Sequence, residues 1–160
     1  MLENFKALKN RILFGSTSGI ITNLALIAGL EGTENAKMNI IASILVIAIA
    51  DNVSDSLGIH IYQEAEGLNK SEVWYSFISN FLSRFVVSAV FLLIVYFLPI
   101  DLAVIVASVY GLFVLSFLSY KIARHRGIKP AKSIIEHLAI AVIVIIISTY
   151  LSNWIGKTFT

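Results

Sequence analysis

The chain has 160 residues, of which 58% are hydrophobic and only 14% charged, with a mean hydropathy of +0.85. A soluble domain carries about 25% charged residues, so this composition excludes an ordinary water-soluble domain. The formal net charge is only +2 and cysteine is absent. Disulfides and thiolate metal sites are thereby excluded.

Residues 1–11 can form a short amphipathic helix at a membrane interface with Leu2, Phe5 and Leu8 on one face, or serve as an ordinary flank. Ile12–Leu30 then runs for 19 uncharged residues, about the length that crosses a bilayer core. It is too long for the apolar region of a cleaved signal peptide, and further spans follow it. Gly15 and Gly19, four apart, allow close helix approach. Ser16, Thr17, Ser18, Thr22 and Asn23 give this span a polar stripe; such groups can also simply bond to neighbouring helices.

After a loop at Glu31–Lys37, the second span covers residues 38–63 and is apolar except for Asp51, Asp55 and His60. Asp51 and Asp55 are four apart and share a helix face, with Asn52, Ser54 and Ser56 adding oxygens. His60, a turn from the interface, reads as structural. A polar loop, Gln63–Glu72, carries Glu64, Glu66 and Glu72. The third span, residues 73–98, contains Arg84, and a tight turn at Pro99 leads to the fourth, residues 100–121. The basic loop Lys121–Lys132 precedes the fifth, residues 134–156, which opens with Glu136 and His137 and ends near Trp154, an interfacial anchor. The expected fold is therefore an all-α, polytopic bundle of five transmembrane helices forming one domain over 1–160. Strands are not expected, since a lipid-exposed sheet edge leaves backbone groups unpaired.

Nine basic residues fall on the N-terminal side: Lys6, Lys9, Arg11, Lys70, Lys121, Arg124, Arg126, Lys129 and Lys132. The other side has Lys37 and Lys157. The positive-inside rule then predicts a cytoplasmic N-terminus. Topology accounts for the basic excess, so the expected partner is the lipid bilayer of a cell or organelle membrane, and nucleic acid is not expected.

Ionisable groups at membrane depth cost about 2.5–3.5 kcal/mol each, and so mark function. Counting 1.5 Å per residue, Asp51 lies about 19 Å from the helix end at Glu64, and Arg84 about 18 Å from Glu72. The two are level on antiparallel helices and can form an ion pair. That pairing leaves Asp55 as the better transport group, a hard oxygen ligand for a divalent cation or a proton carrier. Glu136 and His137 either line a route from the cytoplasm to Asp55 or sit at the interface paired with Lys132 or Arg124. Glu64 and Glu66 lie at the cytoplasmic entrance. No catalytic Ser/His/Asp arrangement, paired-His metal motif or phosphate loop is present in the sequence, so neither enzymatic activity nor a resident cofactor is expected.

Three stretches resemble the vacuolar iron transporter family. Arg11 through Thr22, with Gly15, Ser18 and Gly19, followed by the run ending Ala28, Gly29 and Leu30, resembles that family's first helix. Ser54, Asp55, Ser56, Leu57 and Gly58, with Glu66 beyond, resemble its Ser-Met-x-x-Gly motif and the acidic residue after it. Tyr150 through Gly156 resembles its last helix. The resemblance implies a homodimeric transporter that exports iron or manganese from the cytoplasm in exchange for protons. Together with the intramembrane Asp pair, it points to a site built from Asp55, assisted by Asp51, Ser18 and Asn23. The chain departs from the family pattern at both central positions. Ser18 stands where the family has Asp, and Asp55 where it has Met. The family's Gly-Gly and Pro of the third helix are absent, and Gln63–Glu72 is too short for the cytoplasmic metal-binding domain some members carry. Carboxylate in place of thioether favours harder ions such as Mn²⁺ or Mg²⁺. The contrasting expectation is a membrane scaffold or accessory subunit that moves nothing, with Asp51 and Arg84 holding the bundle together.

Overall fold

A computed structural model describes the backbone from Leu2 to Phe159 and the side chains of residues 13–158. Among the described residues there are only helices, and five are long and apolar enough to cross a membrane. Helix α1 spans Leu2–Leu30, running unbroken from the N-terminal segment into the first span. The proposed apolar face of Leu2, Phe5 and Leu8 lies outside the described side chains. The second span is α2 (Ala36–Val46), a single π-helical turn (Ile47–Asp51) and α3 (Asn52–Ala65). Helices α4 (Lys70–Phe97), α5 (Ile100–Arg126) and α6 (Pro130–Phe159) complete the bundle.

The ends follow from local chemistry. Asn69 caps α4 by accepting a hydrogen bond from the Ser71 N–H at 3.2 Å. Pro99 breaks the chain before α5. Gly127, at φ 68°, supplies the left-handed residue that ends α5. The Lys37 ammonium donates to the Leu98 carbonyl at 3.0 Å, tying the first loop to the end of α4.

Small residues set the packing. Gly15 and Gly19 face α4 so closely that a Cβ on Gly15 would lie 2.2 Å from Ser83 Oγ, and one on Gly19 would lie 3.4 Å from the Arg84 Cα. On α5 the small residues Ala103, Ala107, Gly111, Ser119 and Ala123 recur at every fourth position, with Leu115 between them, and all are buried. That stripe seats α5 against α1 and α6. The packed interior is zoned. Ile20, Leu24, Ile27, Ile40, Ile44, Phe91 and Val95 form an apolar core toward the first-loop end. Toward the N-terminal end the interior turns polar, around Ser18, Asn52, Asn80 and Arg84. The outside carries large apolar side chains such as Phe97, Ile105, Phe113 and Tyr150, a surface that suits lipid and not water.

Candidate functional site

The polar half of the bundle is built by α1, the π turn, α3 and α4. Helix α4 contributes Ser76, Asn80, Arg84 and Ser88 at four-residue spacing, all buried. Together they form one stripe along its inner face.

The π turn prepares the opposite wall. Within it the N–H of Asn52 bonds to the Ile47 carbonyl, five residues back. The ordinary acceptor, the Ala48 carbonyl, takes the Asn52 side-chain amide at 3.0 Å instead. That bond fixes the amide orientation and turns Asn52 Oδ1 toward α4, where it accepts from Arg84 Nε at 2.8 Å. A π turn at this point adds one residue to the helix and sets which side chains reach the seam.

Every nitrogen of the Arg84 guanidinium is used. Nη2 bonds to Asp51 Oδ2. Nη1 bonds to Ser18 Oγ of α1 and, at 3.2 Å, to Asp55 Oδ2. Asp55 Oδ2 also accepts from the Asn80 amide at 3.0 Å, and that same amide donates to Ser56 Oγ at 3.0 Å. Asn80 Oδ1 has no partner and faces the open side of Gly15, where a Cβ would stand 2.7 Å from it. One cation and two carboxylates leave the cluster at −1 when both acids are ionised. Exposure is graded: the Arg84 side chain is 3% exposed, Asp55 35% and Asp51 46%. The carboxylates therefore reach the outer face of the bundle while the guanidinium is sealed inside it.

The expected Asp51–Arg84 ion pair is present. Asp55, read as the better transport group beside that pair, is held by the same guanidinium, which offers five N–H donors in a planar fork and contacts both acids at once. Ser18 joins the cluster as an acceptor. Asn23 does not. It sits beyond the cluster and donates to the Gly19 carbonyl at 2.8 Å and to Ser88 Oγ at 3.0 Å. Ser54, expected to add an oxygen nearby, faces outward.

Glu136 and His137 lie on α6, outside the residues that hold the guanidinium. Glu136 lies 3.9 Å from Lys132, the interfacial alternative. His137 Nδ1 is 2.7 Å from Ser119 Oγ of α5. Both line a cavity of about 440 Å³ between α1, α5 and α6, with His125, Arg126 and Thr17. Helix α6 packs on α1 and α5, whereas α3 packs on α4. Glu64 lies 4.0 Å from His60, and Glu66 is exposed at the end of α3.

The sequence reading missed Asn80 and Ser88. Their signal was present in the spacing Ser76, Asn80, Arg84, Ser88, which places three polar side chains on the arginine's own face. Among the described residues no group of three or more His, Cys, Asp or Glu converges as a metal site. The hard-oxygen set at hand is Asp51, Asp55, Ser18 and Asn52, and all four hold the guanidinium.

No family model, no curated protein and no solved structure matches this chain. The likeness to vacuolar iron transporters therefore rests on the motifs alone.

Proposed function

We propose that this multi-pass membrane protein transports a divalent metal cation, of the manganese or ferrous iron class, in exchange for protons. The observation that carries this reading is one buried guanidinium shared by two carboxylates at membrane depth. A structural lock needs one carboxylate per guanidinium. The second leaves a surplus negative charge, which is costly inside a membrane and marks a functional group.

Charge counting supports proton coupling. With Arg84 counted, one proton brings the cluster from −1 to neutral, whereas a divalent cation on both ionised carboxylates brings it to +1. Cation, proton and guanidinium thus compete for the same two carboxylates, and loading the metal requires Arg84 to turn away from them. The basic excess on the N-terminal side supports placing that end in the cytoplasm, so transport from the α3–α4 loop side is export. The outward-facing carboxylates support a homodimer, in which a second copy covers the α3 face that lipid would otherwise meet.

A second reading has its own observation. The guanidinium joins α1, α3 and the π turn to α4, and every one of its nitrogens is bonded. That arrangement suits a non-transporting scaffold. Proteoliposomes loaded with a metal-sensitive dye separate the two. Transport predicts Mn²⁺ uptake that Asp55→Asn abolishes. A scaffold predicts no uptake by either protein.

A further inference from the structure

The α3–α4 seam runs on from the cluster toward the loop end of the bundle. Asp55 meets Asn80, and His60 meets Phe77 and Trp74. The same antiparallel register brings Glu64 level with Glu72 at the loop end. Between the cluster and that end lies one imidazole. His60 packs edge-on against Trp74, with ring centroids 4.8 Å apart, and against Phe77 at 6.2 Å. Its Nε2 faces Glu64 Oε2 at 4.0 Å. Its Nδ1 is buried without a hydrogen-bond partner, and so is Gln63 Oε1 a turn away. Two orphaned buried polar atoms in one seam are the usual signature of bound water. No described residue accepts the Ser56 hydroxyl proton, and Ser56 lies between His60 and Asn80.

We infer that His60 is a proton relay linking Glu64 at the surface to the Asp51–Asp55–Arg84 cluster. This rests on the proton-exchange reading above. Imidazole suits the task because it binds protons at two separate nitrogens. The step balances simply. A proton arrives at Nε2 from the Glu64 side, and the proton on Nδ1 leaves through water or Ser56 toward Asp55. No bond other than N–H and O–H changes, and rotation of the ring or return of the proton restores the starting tautomer. Asp55 is five residues from His60, about 7.5 Å along the axis, a gap that one or two waters bridge. The charged group facing His60 is Glu64 on its own helix, and Glu72 lies in the first turn of α4. The remaining α4 neighbours are the Trp74 and Phe77 rings and the neutral Ser76.

The test uses radioactive Mn²⁺ with the full chain in liposomes, in two modes. Net uptake driven by a pH gradient requires a proton to move for each cycle. Equilibrium Mn²⁺-for-Mn²⁺ exchange requires none. His60→Gln keeps the polar contacts but removes proton transfer. It is expected to slow net uptake about tenfold or more while exchange stays near wild type. Loss of both modes together would make His60 a structural residue, and loss of neither would remove it from the route. If wild type shows no Mn²⁺ movement in either mode, the transport reading itself fails, and the relay with it.

Discussion

The charge count of the cluster orders a set of variants by stability. Arg84→Gln takes the site from −1 to −2 and removes the donors to Asp51, Asp55, Ser18 and Asn52. Breaking a buried pair by deleting one partner costs about 3–5 kcal/mol. Because Asp55 and Asp51 are 35% and 46% exposed, the lower end applies, about 3 kcal/mol. Asp51→Asn does the opposite: it leaves one carboxylate for one guanidinium and a neutral site, and an amide oxygen can still accept from Nη2. Its cost is about 1 kcal/mol or less, near that of an ordinary hydrogen bond. Asp51→Asn added to Arg84→Gln returns the site to −1 and recovers part of the loss. Unfolding in mixed micelles, followed by the fluorescence of Trp74 and Trp154, measures all three. An Asp51→Asn variant as unstable as Arg84→Gln would refute the claim that the second carboxylate is surplus to the fold.

Three further outcomes follow from packing and surface. Gly15→Ala drives a Cβ into Ser83 and Asn80 and should cost about 1–3 kcal/mol by the same assay, whereas Gly58→Ala meets nothing within 4 Å and should be neutral or slightly stabilising. Asn80→Leu removes the amide that Asp55 and Ser56 share; it should lower Mn²⁺ uptake while the protein still inserts and purifies normally, and unchanged uptake would detach Asn80 from the site. The native chain has no cysteine, so Ser54→Cys, on the outward face of α3, reports the dimer cleanly. A disulfide-linked pair should form in oxidised membranes, and a control cysteine at Ile143 of α6 should give none.

Much of the fold was legible in the sequence because hydropathy and length are sufficient to define spans. Depth was legible too: counting residues from the helix ends put Asp51 level with Arg84, and they bond. Adjacency was harder. Glu136 and His137 lie at a plausible depth for an access route, but depth says nothing of which helices touch, and α6 packs away from α3. Asp55 was read as the better transport group beside an Asp51–Arg84 pair; that the same arginine also holds Asp55 follows from the fork geometry of guanidinium, which residue counting does not show. The π turn was invisible, since no residue in Ile47–Asp51 marks it, yet it decides how Asn52 is aimed. Asn80 was readable from its spacing to Arg84 and was passed over because a neutral amide does not stand out as an ion does.

The central claim is that the two-carboxylate, one-guanidinium cluster exchanges a divalent cation for protons. Simultaneous recording of Mn²⁺ uptake and internal pH in the same proteoliposomes, wild type against Asp55→Asn, tests it most directly. The account predicts that Mn²⁺ entry and opposite proton movement rise together in wild type and that both vanish in Asp55→Asn. Mn²⁺ entry that proceeds equally in Asp55→Asn, or with no accompanying proton movement, would contradict it.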